Sequence, residues 1–225
     1  MAISNYGELK AELSAYLFHQ RLANRYDNCT QLFETAANSR LRVLPMEAVN
    51  IFQTATGSVT LPIDYITWRT VLWIRGGIPP ASPDSGPPYQ GVEVDYVHPA
   101  YLRNMNSSTR LGQDPALFTI EGNQFHGRTL PDDGNTVDAY EFHYYQKIPT
   151  LVNATTGNTT TNWLIAEYPT AYLFGVLTEL FAAQRNAEAA QLYKARRDEA
   201  FQEIIQRYAM TTGATSPRVR SAEYF

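Results

Sequence analysis

The chain has 225 residues, a formal net charge of -4 and 44% hydrophobic side chains. That is enough apolar material for one domain, or one domain with a smaller insert, and it excludes an intrinsically disordered chain. The mildly acidic balance argues against a protein that wraps nucleic acid, which needs clustered Lys and Arg. Cys29, the one cysteine, allows no intramolecular disulfide and reads as a buried structural thiol. No run approaches the roughly 18 apolar residues of a membrane span. The start Met1 to Tyr6 lacks the basic and apolar regions of a signal peptide. With 15 Tyr against 10 Phe and 3 Trp, the aromatic content suits surfaces that become partly covered on assembly, because Tyr joins an apolar ring to a polar tip.

The first 50 residues predict two helices. Asn5 and Glu8 stand three apart, as in a capping box, and Leu9, Leu13, Tyr16 and Leu17 share a helical face. After a polar break at 23–28, a second stripe runs through Cys29, Leu32, Phe33, Ala36, Ala37 and Leu41. The pattern then changes to strands. Ala48 to Thr54 and Val59 to Leu61 flank Thr56-Gly57-Ser58 and read as a hairpin. Trp68 to Ile74 is a third β-prone run. Residues 76–91 hold too many Gly and Pro for any regular element. Phe118 to Phe125 is a second hairpin around Gly122-Asn123, a pair suited to positive φ. Ala139 to Gln146 closes the β region.

From Trp163 the chain is helical again. Pro169 fits a first helical turn, where its missing N–H costs nothing, and Arg185-Asn186 marks a tight joint. A long helix from about Ala187 to Ala209 gathers Ala190, Tyr193, Phe201, Ile204 and Tyr208 on one side, with Arg197 the only charge among them. The reading is an α+β fold: residues 1–50 and 160–210 form a helical bundle, residues 51–159 an inserted small β-rich region with long loops, and residues 211–225 an extended C-terminal tail. The terminal helices are expected to pack together, because their apolar stripes are too wide to leave in water.

A search for chemistry finds no usual constellation. His19, His98, His126 and His143 show no zinc-ligand spacing. Asp132-Asp133-Gly134-Asn135 lacks the alternating acids and terminal Glu of a calcium loop and reads as a polar turn. There is no nucleophile elbow and no phosphate loop, and Pro79-Pro80 spoils Gly76-Gly77 as a phosphate cradle. Four Asn-x-Ser/Thr triplets, at Asn28, Asn106, Asn153 and Asn158, read as chance in a chain rich in Asn and Thr. The expectation is no catalytic residue, no cofactor and no metal. An acid pair of unmarked spacing leaves a small hydrolase as a residual alternative.

Several phrases in order carry a family resemblance. They are Ser39-Arg40-Leu41-Arg42-Val43-Leu44-Pro45-Met46-Glu47, Val59-Thr60-Leu61-Pro62-Ile63-Asp64-Tyr65, Phe118-Thr119-Ile120-Glu121-Gly122-Asn123, Tyr144-Tyr145-Gln146-Lys147-Ile148-Pro149-Thr150-Leu151, Asn162-Trp163-Leu164-Ile165 and Tyr168-Pro169-Thr170-Ala171-Tyr172-Leu173-Phe174-Gly175-Val176-Leu177. Together they resemble the head-to-tail adaptor (connector) proteins of short-tailed phages and related particles, over roughly residues 5 to 210. Each phrase also has a plain scaffold reading, such as a Pro-led turn that Asp64 could close. The loop at 76–91 and the extended tail depart from the family's pattern.

The resemblance implies a structural virion protein, not an enzyme. It would bind beneath the portal protein as a ring of twelve copies and continue a channel for passing double-stranded DNA without specific binding. It would also offer a docking surface to tail or nozzle proteins. The place implied is the neck of the virion, after assembly in the host cytoplasm, with no membrane partner. Such adaptors tend to send their C-terminal segment up to the portal. Here Gly213 and Pro217 stop a helix, and Arg218, Val219, Arg220, Tyr224 and Phe225 are the residue types that carry interface energy. The main alternative is a carbohydrate-binding or host-recognition tail protein, since exposed Tyr and Trp stack on sugars; a β-sandwich spanning the whole chain would favour it.

Overall fold

A computed structural model describes residues 3–17, 22–54, 58–74, 91–106, 117–127, 138–153 and 155–211. Among these residues the elements, in chain order, are α1 (Tyr6–Tyr16), α2 (Tyr26–Arg40), β1 (Glu47–Thr54), β2 (Ser58–Thr60), β3 (Tyr65–Ile74), β4 (Gly91–Glu93), β5 (Asp95–Tyr96), α3 (Pro99–Asn106), β6 (Leu117–Glu121), β7 (Gln124–Gly127), β8 (Asp138–Gln146), α4 (Trp163–Glu167), α5 (Pro169–Ala183) and α6 (Ala187–Thr211), with three short 3-10 turns between them. The fold is α+β with helices toward both ends. The chain divides into two compact units, one of Met1–Met46 with Lys147–Phe225 and the other of Glu47–Gln146.

In the helical unit, α1 opens on a cap that spans one residue more than the sequence suggests. Asn5 Oδ1 accepts the Glu8 N–H at 3.0 Å, while the Glu8 carboxylate accepts from the Ser4 N–H and hydroxyl at 2.7 and 2.8 Å. Leu9, Leu13 and Leu17 turn inward as one i+4 row, whereas Tyr16 stays outside. Helix α2 buries two adjacent rows, Cys29–Phe33–Ala37 and Thr30–Glu34, and leaves Leu32 exposed. Its Phe33 ring meets Tyr172 of α5 edge-on at 4.8 Å and stacks on Phe201 of α6 at 6.0 Å. That contact requires a glycine, because a Cβ on Gly175 would fall 2.0 Å from the Phe33 ring. The helices from the two ends of the chain therefore share one core.

Pro169 is the first residue of α5, as its chemistry predicts. The joint between α5 and α6 is closed by the Arg185 N–H on Ala182 O and the Asn186 N–H on Phe181 O, both at 3.0 Å. This pair of bonds is the Schellman pattern, in which the residue after the cap is left-handed; that residue is Arg185, with φ 61°. Asn186 then caps α6 by accepting the Ala189 N–H on its side chain at 3.2 Å.

The β unit holds two four-stranded sheets, ordered β1-β8-β3-β4 and β2-β7-β6-β5. Strands β1 and β8 pair along eight residues, with Glu47 opposite Tyr145, so the chain enters and leaves this unit side by side. The hairpin read at Gly57 is not formed: β1 pairs with β8, and β2 pairs with β7 in the other sheet. Non-local aromatic packing outweighs the local turn signal. Phe52 of β1 lies 5.0 Å from Phe142 and 5.5 Å from Phe125, which belong to opposite sheets. The Phe118 to Phe125 hairpin does form, as β6 and β7, with Gly122 at φ 62°. Elements β4, β5 and α3 escaped the sequence reading. Two of them are too short to show alternation, and α3 is capped by an atypical group, the ring Nδ1 of His98, which accepts the Ala100 N–H at 3.3 Å. Of the loop read at 76–91, Gly91 instead opens β4; residues 76–90 and the turn Asp132 to Asn135 lie outside the described residues.

Candidate functional site

The residues that sequence put forward for docking, Arg218, Val219, Arg220, Tyr224 and Phe225, lie outside the described residues, but the root of that segment is described. At the last turns of α6, the Tyr208 hydroxyl donates to Glu167 at 2.7 Å. Its ring meets Trp163 at 6.4 Å and Tyr168 at 6.5 Å, and the Arg207 guanidinium lies 5.7 Å above the Tyr168 ring. The N-terminal segment reaches the same end of the helical unit, where the Tyr6 N–H donates to Thr160 O at 2.9 Å and the Thr161 hydroxyl to Ser4 O at 2.8 Å. Burial and the Glu167 carboxylate raise the pKa of the Tyr208 phenol well above its usual value, so it stays a donor at any physiological pH.

Deeper in the same unit sits a polar cluster that sequence did not single out. Glu34 is 5% exposed. Its Oε1 accepts the Leu151 N–H at 2.7 Å and the Tyr172 hydroxyl at 3.2 Å. Asn162 donates to that hydroxyl and to Pro149 O, both at 2.7 Å, and its Oδ1 caps α4 by accepting the Ile165 N–H at 3.0 Å. Burial raises the pKa of the Glu34 carboxyl above the usual carboxylate range, opposed by the hydrogen bonds it accepts, and it drives the Tyr172 phenol far above its own. Apart from the Tyr172–Glu34 bond, which ties α5 to α2, each of these bonds holds the irregular return segment at 147–162 or the helix that follows it. The cluster therefore anchors backbone. Of this cluster only Asn162, standing before an apolar run, could have been found from sequence, as a helix cap, and it was not read so.

Arg197, noticed as the lone charge on the apolar side of α6, is 4% exposed. Its guanidinium binds Asp198 Oδ1 at 3.0 and 2.9 Å and approaches Glu179 at 3.8 Å, while Arg40 reaches the same Asp198 oxygen at 2.6 Å. Beside this pair lies an open groove of about 370 Å³ lined by Arg40, Asp198, Phe201, Gln202 and Ile205.

Cys29 is buried, and burial pushes its thiol up, away from the thiolate that chemistry needs. His143 contacts Glu141 at 2.9 Å, and His98 is used as a cap. Among the described residues no group of three or more His, Cys, Asp or Glu could hold a metal ion, and no helix is long and apolar enough to cross a membrane.

Among the described residues, then, the buried polar groups hold backbone in place. The chain belongs to the SU10 adaptor protein family, whose match covers residues 4–221; this is a family of structural phage head-to-tail adaptors and not of enzymes. Membership implies a place in the virion neck and contact with portal and tail proteins. No curated protein matches the chain.

Proposed function

We propose that this adaptor binds beneath the portal as a closed ring of twelve copies, continues the DNA channel and presents a docking surface to tail or nozzle proteins. Family membership over nearly the whole chain is the observation that carries this reading. The root of the tail, pinned by Tyr208 on Glu167, supports a role for the residues beyond it. A segment leaving a fixed point can reach a cleft between partner subunits and dock there, with Arg218, Val219, Arg220, Tyr224 and Phe225 as anchors. Repetition around a ring multiplies a modest contact. The net charge of -4 fits a channel that lets DNA pass; strong, salt-sensitive duplex binding by the assembled ring would contradict that part.

The carbohydrate-binding alternative expects a sandwich across the whole chain, whereas the two sheets occupy only the unit Glu47–Gln146. The test of the docking role is deletion of residues 214 to 225, followed by assembly with portal-bearing heads. Loss of stable attachment is the expected result. A truncated chain that joins the portal as fully as the intact one rules out the tail as anchor.

A further inference from the structure

Among the described residues the two sheets have four edge strands, of which β1 is the longest, at eight residues against three for β2 and β4 and two for β5. It pairs with β8 through consecutive residues from Glu47↔Tyr145 to Thr54↔Asp138 without a register shift. On its other side no described strand pairs with it. A regular open edge exposes a row of N–H and C=O groups, and folded proteins blunt such edges with Pro, Lys or bulges. Strand β3 shows how this chain does so: its segment not covered by β4 carries register shifts at Tyr65/Thr67 and Trp68/Thr70. Strand β1 has none of these devices. Its only charge is Glu47, at one end and ion-paired to Arg69. Its middle is Val49-Asn50-Ile51, with Val49 54% exposed.

We propose that β1 is the strand by which one copy of this chain joins the next, pairing with the outer edge of β4 in a second copy so that the sheet β1-β8-β3-β4 continues from copy to copy. The inference rests on the ring reading above and names its junction. An open ladder edge recognises another extended strand, which leaves the source of that strand to be decided. Every pair in this sheet is antiparallel, so β1 and β4 run in opposite directions. A copy displaced by rotation therefore brings its β4 antiparallel to β1. A β1–β1 contact would be isologous and stop at two copies, whereas β1 on β4 is head-to-tail and can close a ring. All three residues of β4 are exposed, Val92 at 38%. A ladder of three residues is weak alone, so the junction would hold through repetition and through contacts elsewhere.

The test uses the full-length chain assembled into particles. One cysteine is placed on β1 at Val49, Asn50 or Ile51, and one on β4 at Gly91, Val92 or Glu93. Particles are oxidised and run on a non-reducing denaturing gel, with copy number per portal measured in parallel. Facing positions bring Cβ atoms within about 3.5–4.5 Å and can form a disulfide, while the native Cys29 is buried and serves as background. The expected result is that at least one β1–β4 pair yields a ladder of covalent multimers beyond the dimer, which neither parent with a single added cysteine gives. A dimer from a β1 cysteine alone, or a bond from β1 to a different protein, overturns the proposal. So does the absence of product from every pair in particles that hold several copies. A single copy per portal would instead overturn the ring reading. If paired cysteines block assembly, Val49→Lys decides: its melt should match the parent because Val49 is exposed, and its incorporation should fall about tenfold or more; unchanged incorporation contradicts the junction.

Discussion

The β unit and the helical unit are held together differently. The β core is made of rings: Phe125 alone meets Tyr140 at 5.1 Å, Phe52 and Phe118 at 5.5 Å and Phe142 at 5.8 Å. Such packing is paid for by apolar area and depends little on direction. The helical core instead contains Glu34, Asn162, Tyr172 and Arg197. Its polar atoms hold the stretch returning from the β unit, which has little regular structure: Ile148 N–H on Asn38 Oδ1 at 2.8 Å, Leu151 N–H on Glu34, and Pro149 O on Asn162. A backbone that makes no helix or strand must find partners elsewhere when buried. The inserted β unit can therefore satisfy itself by area, while the helical unit needs named partners to bring the chain back.

This contrast predicts a graded set of outcomes. The largest is Phe125→Ala, which empties the hub of the aromatic core and should cost about 3–5 kcal/mol in denaturant unfolding. If the helical signal is lost in the same transition, the two units unfold as one; if it survives to higher denaturant, they are independent. Next is Gly175→Ala. Its new Cβ collides with the Phe33 ring, and the expected loss is about 1–3 kcal/mol by calorimetry; no loss would mean that Phe33 moves freely.

Glu34→Gln keeps the shape of the side chain but turns an acceptor into a group that can oppose its donors, for a loss of about 1–3 kcal/mol. Its pH dependence is more telling. The folded pKa of Glu34 is raised by burial above the ordinary 4.5, so in the window between the unfolded and folded values the native state binds more protons. The contribution of this group is thus present below the unfolded value and is lost as pH rises through the folded one. The deficit of the variant should be widest at acidic pH and narrow as pH rises; the opposite trend would mean that the carboxylate is stabilised in its charged form. Asp27 has the reverse sign. The Tyr6 hydroxyl and Lys10 lower its pKa, so its contribution is lost as pH falls through that depressed value. The smallest effect is a gain: Arg185→Gly relieves a left-handed residue and should stabilise the α5–α6 joint by about 0.5–1 kcal/mol.

The sequence made the helices legible because their signals are local. Pro169, the Leu9–Leu13–Leu17 row and the Arg185-Asn186 joint follow from spacing and backbone chemistry within a few residues. The β6–β7 turn at Gly122 follows for the same reason. Strand partners were not legible, since β1 finds β8 some ninety residues away through rings that neighbouring sequence does not reveal. Glu34 escaped because a carboxylate on a helix normally faces water, and its donors come from residues 151 and 172. The tail residues read as anchors from residue type alone, and they lie outside the described residues.

The adaptor reading is tested most directly by a cryo-electron microscopy reconstruction of the neck of particles containing this chain, calculated without imposed symmetry. The account predicts a closed ring of this chain directly beneath the portal, with residues after Thr211 running toward portal subunits and β1 meeting a neighbouring copy. Density for the chain at a fibre tip or inside the head, or as isolated copies around the portal, would contradict it.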